Sequence, residues 1–147
     1  MNNRNLFILS GVVILAGLAI WYSGHRSMSG DMPMVDHESS SVPMVAEIKI
    51  PDLNTLELLG ESRFVENCAA CHGENAAGRE GVAPPLIHKI YEPSHHADIS
   101  FQLAAKNGVR AHHWPYGDMP PVPSVSETDV ENIIAYIRTL QRANGIL

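Results

Sequence analysis

Apolar positions are unevenly spread along the 147 residues, and their period separates three stretches. Residues 1–5 are polar and carry Arg4, whereas residues 6–22 are uncharged and mostly Leu, Ile, Val and Ala. Seventeen such residues form a helix of about 26 Å, at the short end of what spans a bilayer. Trp21 and Tyr22 fall where an interfacial aromatic belt sits. A cleaved signal peptide has the same charged start and apolar centre, but Gly17-Leu18-Ala19 is a poor cleavage sequence. The pattern predicts a retained single membrane helix over residues 1–22. Residues 23–50 are rich in Ser, Met, Pro and Asp and show no sustained period. They predict a flexible tether able to reach several tens of ångströms.

From residue 51 to 147 the period becomes helical. Asn54 or Thr55 can cap a first helix through Leu56, Leu59, Gly60 and Phe64, with Gly60 and Phe64 four apart on one face. A second helix is predicted over 97–107, with Ile99, Leu103 and Ala104 inward and Gly108 as its stop. The third is the clearest. Ser126 caps it, Glu127, Asp129 and Glu131 suit its positive end, and Arg138 and Arg142 suit its negative end. Val130, Ile133, Ile134, Ile137 and Leu140 keep the helical period up to Asn144-Gly145. No stretch alternates as a strand does, so the fold class is all-α.

Length allows one domain plus an appendage. The formal charge of −6, with no cluster of Lys and Arg, excludes a nucleic-acid partner.

Both cysteines lie in Cys68-Ala69-Ala70-Cys71-His72. A C-x-x-C-H run reads as a c-type haem attachment site, with two thiols for thioether bonds and an imidazole for the iron. A thioredoxin-like pair would need a βαβ context, a zinc site would need a second pair of ligands, and a disulfide over two residues would be strained. None of these fits as well. Such attachment occurs outside the cytoplasmic membrane in bacteria, which settles the orientation that Arg4 and Arg26 leave open. The domain after the anchor is expected to face the periplasm.

His72 offers one axial ligand. For the other, Met119 is the methionine inside the 51–147 domain, in Gly117-Asp118-Met119-Pro120-Pro121, where glycine and prolines hold a loop rather than a helix. His112 and His113, read as surface residues or neighbours of the ligands, are rivals for that role, as are His88, His95 and His96. In the tether, Met28, Met32, Met34 and Met44 accompany His25 and His37. Thioether and imidazole groups suit Cu(I), yet no spacing enforces a geometry, so an ordinary linker is the simpler reading.

From residue 51 to the end the chain resembles a class I monohaem cytochrome c of the bacterial, membrane-anchored type. The resemblance rests on CAACHG at 68–73, APPL at 83–86, GDMPP at 117–121 and IIAYIRTLQ from Ile133. It implies a small all-α fold wrapped around one covalent haem c. It also implies that Gly60 and Phe64 cross Ile133 and Tyr136, that the Pro84 carbonyl accepts a hydrogen bond from His72, and that Leu86 belongs to the haem environment. Ala83 replaces the usual glycine before Pro84, and the loop 109–118 with its paired histidines departs from the general family pattern.

With Cys68 and Cys71 on the haem and His72 and Met119 on the iron, no position remains for a substrate. The expected activity is one-electron transfer, not catalysis. A haem catalyst or gas sensor is the alternative, and it requires Met119 to be absent or labile. A haem subunit docked in a larger oxidoreductase is a third reading. The expected partners are membrane-bound redox proteins, and the Met/His tether adds a copper enzyme to the candidates. The expected location is the outer face of the bacterial cytoplasmic membrane.

Overall fold

Asn54, rather than Thr55, begins the first helix. Its Oδ1 accepts from the backbone N–H groups of Leu56 and Glu57 at 2.9 and 3.1 Å, and Glu57 accepts from the Asn54 N–H at 2.8 Å. The reciprocal bonds satisfy donors that a helix start would otherwise leave orphaned. The structure, a computed structural model, describes residues 43–147. The anchor expected over 1–22 and the tether residues 23–42, with His25, Met28, Met32, Met34 and His37, lie outside the described residues.

Helix α1 spans Thr55–Asn67, a single turn α2 spans Ala69–His72, α3 spans Asp98–Asn107 and α4 spans Glu127–Ala143. Short 3₁₀ turns cover Glu74–Ala76 and Lys89–Tyr91. Among the described residues there is no strand, only isolated bridges, and no helix is long and apolar enough to cross a membrane. The all-α reading of the domain therefore holds.

The core forms where α1 crosses α4. Gly60 permits the crossing, because a Cβ there would lie 2.0 Å from the Asn132 carbonyl oxygen. One turn on, Phe64 meets Tyr136 with ring centroids 5.8 Å apart and planes tilted by 50°. Such a pair contributes about 0.5–1.5 kcal/mol beyond its buried area. Ile133, Ile137 and Leu140 extend the seam, and Leu86 and Ile87 close it. Tyr136 donates its hydroxyl to Asn75 Oδ1 at 3.1 Å, and burial pushes that phenol up to about 12. Helix α4 starts on a second reciprocal box. Ser126 Oγ accepts from the Asp129 N–H at 3.1 Å and Asp129 accepts from the Ser126 N–H at 3.0 Å.

Two expectations need correction. Ile99, expected inward, is 62% exposed, whereas Leu103 and Ala104 face the cavity described below, and the residue of α3 packed against the core is Phe101. The cause is how α3 docks. Arg138 of α4, its side chain only 8% exposed, lies over the Phe101 ring at 5.0 Å and pairs with Asp98 at 2.8 Å. A polar knot thus sets the helix face where an aliphatic stripe was expected. The second correction concerns residues 43–50, the expected end of the tether. The Val45 N–H donates to the Ala77 carbonyl at 3.1 Å, and Lys49 exchanges two bonds with the Asn144 side chain at 2.8 and 2.9 Å. Ile48 packs against the core. These are backbone attachments that leave no periodic mark in the sequence.

Candidate functional site

The cysteine pair sits where α1 breaks. The Cys68 N–H still donates to Phe64, but its backbone leaves the helical region, and the N–H groups of Cys71 and His72 turn back to the Cys68 carbonyl at 3.1 and 2.9 Å. One turn therefore carries both sulfurs and the imidazole. Both thiols are free, Cys68 partly buried and Cys71 exposed. Burial first, then the neighbouring Cys71, pushes the Cys68 thiol up to about 11. A thiol so disfavoured as thiolate is a poor redox nucleophile, and no βαβ context surrounds it among the described residues.

Past the motif the chain reverses sharply. Gly73 takes φ +74°, and a Cβ there would lie 2.7 Å from the Gly78 carbonyl oxygen. Gly78 in turn approaches Pro85 so closely that its own Cβ would lie 2.5 Å from Pro85 N. The Arg79 guanidinium donates to the Ala70 carbonyl. The turn before Pro84, where Ala83 replaces the family's usual glycine, closes with Arg79 and Ala83 paired through both backbone bonds at 2.9 and 3.1 Å. This folding delivers the Pro84 carbonyl to His72 Nδ1 at 2.9 Å. A carbonyl only accepts, so Nδ1 carries the proton and Nε2 keeps its lone pair. Burial lowers the His72 pKa, and the Pro84 bond opposes that shift in part.

Met119 is held by its backbone. Val109 and Met119 exchange both N–H···O bonds at 2.9 Å, which closes the loop 110–118. Gly108, at φ +73°, makes room, since a Cβ there would lie 2.5 Å from the Met119 carbonyl oxygen. Within the loop the Ala111 N–H donates to Asp118 Oδ1 at 2.8 Å, and Trp114 stacks on Tyr116 with planes 14° apart.

Cys68, Cys71, His72, Pro84, Leu86 and Met119 all line one cavity of about 500 Å³. Its size falls in the range of roughly 300–1,000 Å³ typical of pockets for small ligands and cofactors. Aliphatic and aromatic side chains such as Phe64, Leu103 and Ile137 form most of the wall. An apolar cradle carrying two thiols on one turn, a lone-pair-bearing imidazole and a thioether fits an iron porphyrin attached through its vinyl groups. His96, His112 and His113 also border the cavity, whereas His88 and His95 do not.

Sequence reasoning missed two groupings here. One is the Arg138 knot, whose guanidinium also donates to the Tyr91 and His96 carbonyls and to Gln141. The other is the convergence of two His pairs from separate segments. Only the pairing of adjacent histidines at 95–96 and 112–113 hinted at it.

Compared with known protein families, residues 58–141 match the family model described as cytochrome c. The match runs from within α1 into the last turn of α4 and contains every residue singled out for the cavity. No curated protein and no solved structure matches the chain.

Proposed function

The chain belongs to the cytochrome c family, and on that premise we propose that it carries single electrons while tethered to the outer face of a bacterial cytoplasmic membrane. The domain is a haem-based electron carrier with one covalently attached haem c. When bound, that group supplies a one-electron iron couple whose potential methionine ligation raises. Cys68 and Cys71 would attach it, and His72 Nε2 and Met119 Sδ would hold its iron. The Pro84 carbonyl keeps the imidazole oriented, and an orienting bond of this kind tunes the metal as well as fixing its ligand. Leu86 contributes apolar wall and keeps water away.

The observation that carries this reading is the double restraint on the two ligands. His72 is fixed by Pro84 and Met119 by Val109, and both border one cavity. An imidazole and a methionine main chain held in this way would stay in place in both oxidation states of a bound iron, which suits electron transfer. With both on the iron, no coordination position would remain for a substrate, which would separate a carrier from a catalyst.

Residues 1–22 act as the anchor in this proposal and the following stretch as the tether, which raises the effective concentration near a membrane-bound partner. The charge of −6 suits partners with a basic docking patch. Membrane-bound redox proteins, a copper enzyme among them, are the partners this chemistry serves.

The test uses the full chain expressed with haem. Membrane fractionation, haem staining after denaturing electrophoresis and intact mass together read the anchor and the covalent link. A haem-stained, full-mass protein released only by detergent is expected; a shortened, freely soluble product would overturn the tether. In the ferric protein the red charge-transfer band of methionine ligation is expected, and the ferrous protein should exclude CO. Ready CO binding without that band would favour the catalytic or gas-sensing reading.

A further inference from the structure

Outside the haem ligands, the densest chemistry on the domain is a group of imidazoles. His95, His96 and His113 each present a ring nitrogen within 4.8 Å of the other two. Their ring centroids lie 4.7, 5.2 and 5.4 Å apart. His112 adjoins them, 4.2 Å from His113. Four of the chain's eight histidines thus meet beside the cavity, and three of them, His96, His112 and His113, border it. They come from two segments, the turn after Pro93 and the loop closed by Val109 and Met119.

The tautomers are readable. His95 Nδ1 and His96 Nδ1 both reach the Ile90 carbonyl, at 2.8 and 2.6 Å. His112 Nδ1 reaches the Arg110 carbonyl at 2.8 Å. Carbonyls accept only, so each Nδ1 donates and each Nε2 keeps its lone pair. This is how metal-binding histidines are held, with the second ring nitrogen donating to a backbone carbonyl that fixes the ring and strengthens the ligand.

We propose that His95, His96 and His113 form a site for one divalent transition-metal ion at the rim of the haem cavity. His112 stands as a neighbouring fourth imidazole. Ligand nitrogens at 2.0–2.1 Å from one tetrahedral ion lie about 3.4 Å apart. The group therefore has to close by up to about 1.4 Å, and the exposed His95 and His113 rings have the freedom to do so. No carboxylate belongs to the group. A set of imidazoles selects Zn²⁺, Cu²⁺ or Ni²⁺ and rejects Mg²⁺ and Ca²⁺, which prefer oxygen. A bound ion would pin the turn at 92–96 to the loop that ends at Met119. Its charge beside the cavity would favour the reduced state of the haem.

The haem-loaded full chain, stripped with a chelator, is titrated with Zn²⁺ by calorimetry, in parallel with a His95→Gln, His113→Gln double variant. Both residues are exposed, and an unchanged haem spectrum in the variant certifies its fold. Because the tether keeps His25, His37 and its methionines in both proteins, the difference between them isolates the cluster. One Zn²⁺ per chain is expected to bind the parent and to bind the variant more than about 100-fold more weakly, since loss of mere supporting partners already costs 10–100-fold. Cu²⁺ on the parent should give an electron paramagnetic resonance signal with hyperfine structure from several nitrogens. Zn²⁺ should raise the reduction potential of the parent and leave that of the variant unmoved. Equal affinity in the two proteins, or no binding at micromolar Zn²⁺, would overturn the site. So would loss of the methionine-ligation band in the variant, which would assign these histidines to the iron. Binding is read directly, so its outcome is separate from that of the electron-carrier reading.

Discussion

Gly60 lies against the backbone of Asn132, so close that a methyl group on Gly60 would sit 2.0 Å from the Asn132 carbonyl oxygen and 3.0 Å from Tyr136 Cβ. The first and last helices of the domain meet there main chain to main chain. Gly60→Ala would gain about 1 kcal/mol of helix propensity. It would also have to part α1 from α4 and loosen the Phe64–Tyr136 pair, and overpacking of this kind costs about 1–3 kcal/mol and at times more. The obstacle is backbone, which cannot swing aside, so the cost falls at the upper end of that range and the clash should win by about 1–2 kcal/mol. Denaturant unfolding of the haem-loaded protein checks this, with Ser62→Ala on the exposed face of α1 as a nearly silent control. A Gly60→Ala protein as stable as its parent would contradict the crossing.

Arg138 and Asp98 form an unequal pair, with side chains 8% and 66% exposed. Removing the buried partner should therefore cost far more than removing the exposed one. Arg138→Met keeps an apolar stem but removes the guanidinium from over Phe101 and strips donors from the Tyr91 and His96 carbonyls and from Gln141 Oε1. Bonds to a charged donor contribute about 1.5–3 kcal/mol each, and the solvated Asp98 recovers water, so a net loss of about 3 kcal/mol is expected. Asp98→Asn should cost under about 1 kcal/mol, as exposed ion pairs do. Unfolding midpoints of the two variants measured side by side test the asymmetry.

Both helix caps rest on carboxylates, which gives stability a definite pH dependence. The Thr139 hydroxyl, donating at 2.6 Å, and then the Asn54 N–H hold Glu57 below its ordinary 4.5. The Ser126 hydroxyl and N–H hold Asp129 below its ordinary 3.8, with Arg63 helping. A carboxylate with a lowered folded-state pKa stabilises fully above its unfolded value and ceases to do so as pH falls through the folded value. The unfolding temperature should thus begin to fall below about pH 4.5 and keep falling past 3.8. Glu57→Gln should be less stable at neutral pH and show a flatter descent over the upper part of that window. Thermal melts followed by far-ultraviolet circular dichroism, from pH 7 downwards, read both effects.

What could be read in the sequence was what short-range chemistry determines. Asn54 and Ser126 announce their caps within three residues, and the stripe from Val130 to Leu140 repeats often enough to fix the buried face of α4. Cys68, Cys71, His72 and Met119 could be proposed because few side chains can serve a haem, and the structure brings all four to one cavity. The core contact of α3 through Phe101 was not legible, since Arg138 docks it and a polar anchor leaves no apolar period. The role of the Pro84 carbonyl came only through family resemblance, because a backbone acceptor has no sequence signature of its own. The His95, His96 and His113 group was hidden for a related reason. Its members are distant in the chain, and irregular turns bring them together.

The cavity also sets how far the domain depends on its haem. The described part of the chain is only about 100 residues, a size at which a core is modest. Without haem, the apolar wall of a cavity of about 500 Å³ would meet water instead of a porphyrin, and the domain would lose a large part of its core. Cys68→Ala combined with Cys71→Ala should therefore yield a chain that stains for no haem, shows little fixed helix and is degraded in cells. Either single variant retains one thioether position and should accumulate at a reduced level with haem still attached. Haem staining and circular dichroism of the three variants decide the matter. Recovery of a stable, fully helical double variant would mean that the crossing of α1 and α4 sustains the fold unaided.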